Sequence, residues 1–194
     1  ICNMTNPKIL AFSGSIRNGS INQRLVTIAA NYAQQTGAEV TIANLADYQM
    51  PLFCPDWENA NGMPDEVIAF KELMKSHNGF LIASPEYNGS LTGILKNAID
   101  WMSRPYSDDP RMACFNGKIA GIMAASPGAL GGLRGLHHLR VILASIGTLV
   151  LPNQVAVGNA GTNLVDDESV KDEGLNNAVQ SQAKEIVRMI NALH

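Results

Sequence analysis

Several motifs that would assign a function at once are missing from this chain of 194 residues. There is no G-x-G-x-x-G sequence and no Gly-Lys-Ser/Thr, so the dinucleotide fingerprint and the P-loop are both excluded. There is no G-x-S-x-G either, which excludes the nucleophile elbow of the α/β-hydrolases. A functional site therefore has to be sought in other loops.

Cysteine is scarce and irregularly spaced. The chain has three cysteines, Cys2, Cys54 and Cys114, and no C-x-x-C pair. An odd number of widely spaced thiols is typical of a reducing compartment and is unsuited to a disulfide framework. We therefore expect free thiols, a cytoplasmic protein and no metal site.

Charge is also sparse, and neither sign dominates. The 14 basic and 17 acidic residues leave a net charge of −3, with no basic stripe to neutralise phosphates, so nucleic acid is not expected as a partner. The apolar runs are interrupted too often for a transmembrane helix, and the polar first residues do not resemble a signal peptide. We expect no membrane partner and one domain over residues 1–194, with 1–6 as a loose extension.

Apolar runs alternate with helical patterns from end to end. Strands are predicted over 8–13, 39–45, 79–84, 118–125 and 148–151, with a resumption over 154–157 also compatible, and helices over 20–35, 64–77, 92–103, 132–146 and 168–193. A long loop is predicted over 46–63. The short, fully apolar strands favour a doubly wound parallel sheet of five strands with helices on both faces. If the strand order is 2-1-3-4-5, the loops after strands 1 and 3 flank the switch point, where such sheets bind ligands.

The loop after the first strand reads Ser-Gly-Ser-Ile-Arg-Asn-Gly-Ser-Ile-Asn over 13–22. Ser20 is a good N-cap for the following helix, and Gln23 would complete a capping box. Hydroxyls, amides and one guanidinium at a helix N-terminus suit a phosphate monoester. Capping by Ser20 and Gln23 beside a solvated Arg17 is the simpler alternative, but it leaves Ser13 and Ser15 unexplained.

Two further loops follow strands that would end at the same edge. After the third strand comes Pro-Glu-Tyr-Asn-Gly over 85–89, where Gly89 permits positive φ and the Tyr87 ring could lie against a flat heterocycle. After the fourth strand, the segment 126–132 is rich in small residues and exposes backbone amides. An ordinary turn and a flexible connection are the alternatives for these two loops.

With these motifs the chain resembles the NADPH-dependent FMN reductase family of flavodoxin-like proteins, which includes quinone, chromate and azo-dye reductases. The matching segments are 14–22, 85–90 and Leu-Lys-Asn-Ala-Ile-Asp-Trp over 95–101. The resemblance implies FMN, with its phosphate on the first loop, its ring wrapped largely by backbone atoms of the second, and the third loop at the far side of the ring. The residues predicted to bind the cofactor are Ser13, Ser15, Arg17, Ser20, Ile21, Asn22, Gln23, Pro85, Glu86, Tyr87, Asn88, Gly89, Ser126 and Gly128.

The resemblance also implies an activity. NADPH or NADH would pass hydride to flavin N5, and a flavin, quinone, azo compound or metal oxyanion would then accept it in a ping-pong scheme. No side chain is expected to act as a catalyst, and a homodimer or homotetramer is expected. The alternatives are a flavodoxin-type electron carrier or flavin-binding protein without turnover, and a phosphate-ester hydrolase. The hydrolase is disfavoured because residues 13–22 contain no Cys or Asp nucleophile.

Overall fold

A computed structural model describes residues 6–193, and in it strands and helices alternate along the chain. The expected extension over 1–6, with Cys2, falls almost wholly outside the described residues. The strands are β1 Lys8–Ser13, β2 Glu39–Asn44, β3 Gly79–Ala83, β4 Glu86–Tyr87, β5 Ser90–Leu91, β6 Ile119–Ala125, β7 Leu149–Val150 and β8 Val155–Val157. The helices are α1 Ile21–Gln35, α2 Pro55–Asn61, α3 Asp65–Lys75, α4 Gly93–Met102, α5 Leu133–Ser145, α6 Ala160–Asn163 and α7 Glu173–Leu193, with a 3-10 turn over Leu45–Asp47.

The main sheet is parallel throughout. Its order is β2-β1-β3-β6, and both β7 and β8 pair with β6, which confirms the predicted 2-1-3-4-5 arrangement. The fifth strand is split into two pieces, so the sheet has six strands where five were predicted. Pro152 lies between the two pieces, and since proline has no N–H to donate, the ladder is interrupted there.

Alternate residues of the central strands face opposite sides of the sheet. Ile9 and Ala11 belong to a core shared with α1 and α7, whereas Leu10 and Phe12 belong to a second core shared with α3, α4 and α5. Because helices cover both faces, every position of β3 and β6 is buried. This is why these strands are apolar without alternation.

The helix positions place a crevice between β1 and β3. The chain leaves β1 into α1 on one face of the sheet and leaves β3 into α4 on the other face. The loops after β1, β3 and β6 all emerge at the carboxyl edge of the parallel strands. This edge, at the switch point, is where ligands bind in open parallel sheets.

The segments 46–63 and 168–172 differ from the sequence prediction. The predicted loop over 46–63 contains the 3-10 turn and α2, which begins with Pro55, a residue favoured at the first position of a helix. The last helix begins at Glu173 and not at Glu168. Asp166 accepts hydrogen bonds from the N–H groups of Glu168 and Ser169, and this local turn competes with helix formation.

A buried side chain connects α1 to the end of β6. The Nδ2 of Asn22 donates to the carbonyl of Ala125, and its Oδ1 accepts from the N–H of the same residue, both at 2.9 Å. Asn22 is 2% exposed, so neither bond competes with water. The pair fixes the start of α1 against the strand that leads into the third loop.

We predict that Asn22→Ala lowers the free energy of unfolding by about 2–3 kcal/mol, because two buried backbone groups lose their partners. Urea denaturation measures the change, and Gln34→Ala, on the exposed side of the same helix, is the matched control. A loss no larger than that of the control would contradict the role given to Asn22.

Candidate functional site

The first loop is shaped by its own hydroxyl groups. Ser13 is fully buried, and its Oγ accepts from the N–H of Ser15 at 3.2 Å. The Oγ of Ser15 in turn accepts from the N–H of Arg17 at 3.4 Å. These side-chain-to-backbone bonds replace a regular turn. The hydroxyl of Ser13 therefore holds the loop, whereas Arg17 lies at its surface.

The start of α1 presents spare donors. The Oγ of Ser20 accepts from the N–H of Gln23 at 3.3 Å, as an N-cap does. The predicted capping box is wrong in its second half, because Gln23 Nε2 donates to the carbonyl of Ala43 instead of reaching back to Ser20. Among the described residues, none accepts from the N–H of Ile21 or Asn22. With the amide of Asn22 engaged by Ala125, only its backbone can serve a ligand.

A polar cavity of about 260 Å³ opens beside this helix end. Its lining residues are Ser15, Arg17, Asn18, Gly19, Ser20, Gln23, Arg24, Thr27, Asn44 and Asp167. Arg24 is paired with Asp167 at 2.7 Å, whereas the guanidinium of Arg17 donates, among the described residues, only to the carbonyl of Gly19. A free guanidinium and unpaired N–H groups at the positive end of a helix dipole fit a phosphate group.

The second loop is a short hairpin, which the sequence analysis missed. Strands β4 and β5 pair antiparallel and are joined by Asn88 and Gly89 alone, with φ of 52° and 81°. Two positive φ values in a two-residue connection are typical of a type I′ turn, for which Asn-Gly is the strongest sequence signal. The turn presents Tyr87, which is 60% exposed.

Glu86, at the base of the hairpin, faces α5. Its Oε2 accepts from the N–H of Gly135 at 3.0 Å, and its Oε1 accepts from Arg134 Nε at 2.8 Å. Burial acts to raise the pKa of Glu86, but these bonds outweigh burial and hold the pKa below its ordinary value. The carboxylate therefore fastens the hairpin to α5, and only the backbone of Glu86 is left for a ligand at the sheet edge.

The third loop lies tightly against β8. A Cβ on Gly131, where φ is +61°, would come within 2.7 Å of the backbone of Ala156, Val157 and Gly158. The Oγ of Ser126 accepts from the N–H of Gly128 at 3.1 Å. Gly128 itself is exposed, and a Cβ there would meet only the Ser126 hydroxyl, at 3.6 Å. The loop is thus fixed at one end and open at the edge of the sheet.

Thr92, the N-cap of α4, and Asn97, within α4, hold neighbouring loops, and neither was predicted as a site residue. Thr92 caps α4, and its Oγ1 also donates to the carbonyl of Gly14 at 2.6 Å, which connects the first loop to the helix. The amide of Asn97 bonds to the backbone of Phe53 at 2.8 Å and of Pro51 at 3.0 Å. A capping threonine can be recognised from sequence, but neither distant partner can.

Between these loops lies a cleft of about 470 Å³. Its lining residues are Gly14, Ser15, Ile16, Arg17, Met50, Leu52, Tyr87, Thr92, Gly93, Ile94 and Asn97. The structure thus brings Ser15, Arg17 and Tyr87 together around one cleft. Ser13, Asn22 and Glu86 lie close by but direct their side chains into the fold.

The chain combines a parallel sheet, a hydroxyl-rich first loop and a Pro-Glu-Tyr-Asn-Gly hairpin. Its sequence was compared with those of known protein families. Residues 7–162 match the model of the family described as NADPH-dependent FMN reductase. This chain belongs to that family. The match confirms the resemblance, and with it the oxidoreductase class and the use of FMN and NAD(P)H that the resemblance implied.

Relatives of the NADPH-dependent FMN reductase family cover most of the chain. An NAD(P)H-dependent FMN reductase of Pseudomonas aeruginosa is 33% identical over 187 residues, which make up 96% of each chain. A probable NADPH:quinone oxidoreductase of Oryza sativa is 38% identical over 141 residues, 71% of this chain and 66% of that protein. The solved structure of the Paracoccus denitrificans flavoenzyme FerB, an NAD(P)H:(acceptor) oxidoreductase, has a TM-score of 0.79 and 26% identity, and covers 96% of this chain and 98% of that one.

No helix within residues 6–193 is both long and apolar enough to cross a membrane. In the same part of the chain, no three His, Cys, Asp or Glu side chains are grouped so that they could hold a metal ion.

We predict that Glu86→Gln lowers stability at neutral pH and that the difference from the parent protein disappears in acid. The folded-state pKa of Glu86 lies below its unfolded value, so its stabilisation is present above about pH 4.3 and is lost as the pH falls through the folded-state value. Denaturant unfolding between pH 3 and pH 7 measures this, with exposed Glu168→Gln as the control. A difference that does not depend on pH would contradict the ionic role of Glu86.

We predict that Arg17→Ala weakens FMN binding by about tenfold or more, because a charge-assisted bond to phosphate contributes about 1.5–3 kcal/mol. Riboflavin, which lacks the phosphate, should lose little affinity. Flavin fluorescence titrations measure both, and Arg188→Ala removes an equal charge from the exposed side of α7 as the control. Equal losses for FMN and riboflavin would place the phosphate elsewhere.

Proposed function

We propose that the protein is an FMN-dependent NAD(P)H oxidoreductase that passes hydride through flavin N5 to a small organic acceptor. The observation that carries the proposal is the free anion site at the start of α1. It opens at the same sheet edge as the hairpin over 86–91 and the third loop over 126–132. A ligand with a phosphate monoester at one end and a flat ring at the other matches this arrangement. The phosphate suits the anion site, and the ring suits the space between the hairpin and the third loop.

In this proposal the phosphate is held by Ser15, Arg17 and Ser20 together with the backbone N–H groups of Ile21 and Asn22. Pro85 to Gly89 and the segment Ser126 to Gly128 enclose the ring. Gln23 and Ser13 support the loop from behind, in keeping with their bonds to Ala43 and Ser15. Bound in this way, FMN supplies the hydride chemistry, and the protein supplies binding, orientation and electrostatics.

Charge stabilisation and contact with the substrate rings are provided by backbone groups and by the ring of Tyr87. Backbone N–H groups of the hairpin and of the third loop can stabilise negative charge that develops beside them. The exposed face of Tyr87 offers a flat apolar surface. Because the cleft next to it is open, the nicotinamide and the acceptor can use it in turn, as a ping-pong scheme requires. No side chain is needed as a general acid or base.

Two further features of the proposal rest on less specific observations. We place the protein in the cytoplasm, because Cys54 and Cys114 are both free thiols. We also propose a homodimer or homotetramer, since Leu133 and Val141 expose apolar surface on α5.

The test is an anaerobic one. One equivalent of FMN is added to the purified protein, and the visible spectrum is recorded before and after NADPH, and then after a quinone. We expect a perturbed flavin band that NADPH bleaches within seconds and that the quinone restores. A bound flavin that NADPH does not bleach would favour an electron carrier, and an unperturbed band would remove the flavin from the proposal.

A further inference from the structure

A second, smaller cavity lies next to the main cleft. Its volume is about 160 Å³, and its lining residues are Ile16, Leu45, Ala46, Tyr48, Gln49, Met50, Ile94, Asn97 and Ala98. It shares Ile16, Met50, Ile94 and Asn97 with the cleft, so the two spaces adjoin one another. Neither the family match nor the predicted cofactor residues assign it a ligand.

The chemistry of this side cavity is apolar. Among the described residues, no charged side chain lines it. It has two amide side chains: Gln49 is exposed, and Asn97 already bonds to the backbone of Met50, Pro51 and Phe53. A charged group placed here would lose its hydration without gaining an ion-pair partner. The cavity therefore suits an apolar ligand.

The wall between the side cavity and the cleft combines a fixed backbone with an adaptable side chain. Asn97 and Trp101 hold the segment 50–53 through its carbonyl and N–H groups, and Trp101 Nε1 donates to Pro51 at 2.7 Å. The Phe53 ring also packs edge-on against Trp101 at 5.1 Å between ring centroids. Met50 itself is unbranched, and methionine side chains adapt readily to a ligand.

Exposed apolar side chains gather at this place. Ile16 is 50% exposed, Ile94 41%, Tyr87 60% and Leu52 82%, and all four line the cleft or the side cavity. Contiguous exposed apolar surface of this kind marks a binding site. This apolar surface lies beside the hairpin that is proposed to bind the ring. A molecule that enters the cleft would therefore also reach the side cavity.

We propose that the side cavity receives a short apolar chain carried on a planar acceptor, such as a quinone ring with one isoprene-sized substituent. An apolar cavity of about 150 Å³ holds a ligand the size of benzene, so a chain of about five or six carbon atoms fills this one. The ring then stays in the cleft beside Tyr87, and the chain passes Met50. The inference rests on the proposed function and names the substrate class of that site.

The test compares three acceptors that share one benzoquinone ring and carry no tail, one isoprene unit or two. The enzyme is loaded with FMN and supplied with saturating NADPH. Each buried methylene group contributes roughly a threefold to fourfold gain, so we expect kcat/KM to rise by about tenfold or more with the first unit. The second unit should add much less, because the cavity is then full.

A substitution that fills the side cavity tests the placement of the chain directly. Ala46 is exposed at the rim of the side cavity, and Ala46→Phe would occupy its space. We expect the gain from the first isoprene unit to fall to about twofold or less, whereas Ala192→Phe, at an exposed position near the end of α7, should retain it. A gain that survives in Ala46→Phe would overturn the placement of the chain.

Calorimetry gives a readout that does not depend on turnover. Titration of the oxidised, FMN-loaded protein with the one-unit quinone should show a more negative heat-capacity change than titration with the tailless ring, because apolar surface is buried. Failure of the side-cavity proposal can be distinguished from failure of the proposed function. If FMN binds and the tailless quinone is reduced but the tail brings no gain, the side-cavity proposal is wrong and the function stands. If FMN does not bind or no quinone is reduced, the proposed function is wrong and the inference falls with it.

Discussion

The reversal of winding direction between β1 and β3 is the constraint on which the rest of the structure depends. Because α1 and α4 leave the sheet by opposite faces, the loops that lead into them diverge and leave a crevice. Three side-chain contacts keep that crevice from closing or shifting. Asn22 joins α1 to Ala125, Thr92 joins α4 to the first loop, and Glu86 joins the hairpin to α5. These contacts tie the loops of the candidate site to the helices and strands around it.

Most polar side chains near the crevice hold loops in place and leave binding to other groups. The amides of Asn22 and Asn97, the carboxylate of Glu86 and the hydroxyl of Ser13 all bond to backbone or to a neighbouring side chain. What stays free is the backbone at the start of α1, the guanidinium of Arg17 and apolar surface around Tyr87. In the proposed function, such a site would bind and orient a reactive cofactor without needing catalytic side chains of its own. The protein's own contribution to selectivity would then lie in the apolar walls.

The sequence predicted the parts of the fold that follow from local pattern. The apolar runs located β1, β3 and β6 to within a residue or so, because both faces of the sheet are covered. The hairpin was missed although Asn88-Gly89 is its usual signal. The resumption of the last strand after Pro152 was compatible with the sequence, and the structure has it as β8. At the candidate site, the sequence allowed the first loop to be predicted as an anion site, but it did not predict the directions of its side chains. Asn22 bonds to a residue 103 positions away, and no local pattern encodes such a contact.

The most direct measurement is a crystal structure of the protein with FMN. The account predicts the phosphate at the N-terminus of α1, within hydrogen-bond distance of Ser15, Ser20 and the N–H of Ile21. It predicts the ring between the hairpin over 86–91 and the loop at Gly128, with the side cavity behind Met50 left open. A flavin whose phosphate lies away from α1, for example beside Lys96 and His137 in the groove between α4 and α5, would contradict it.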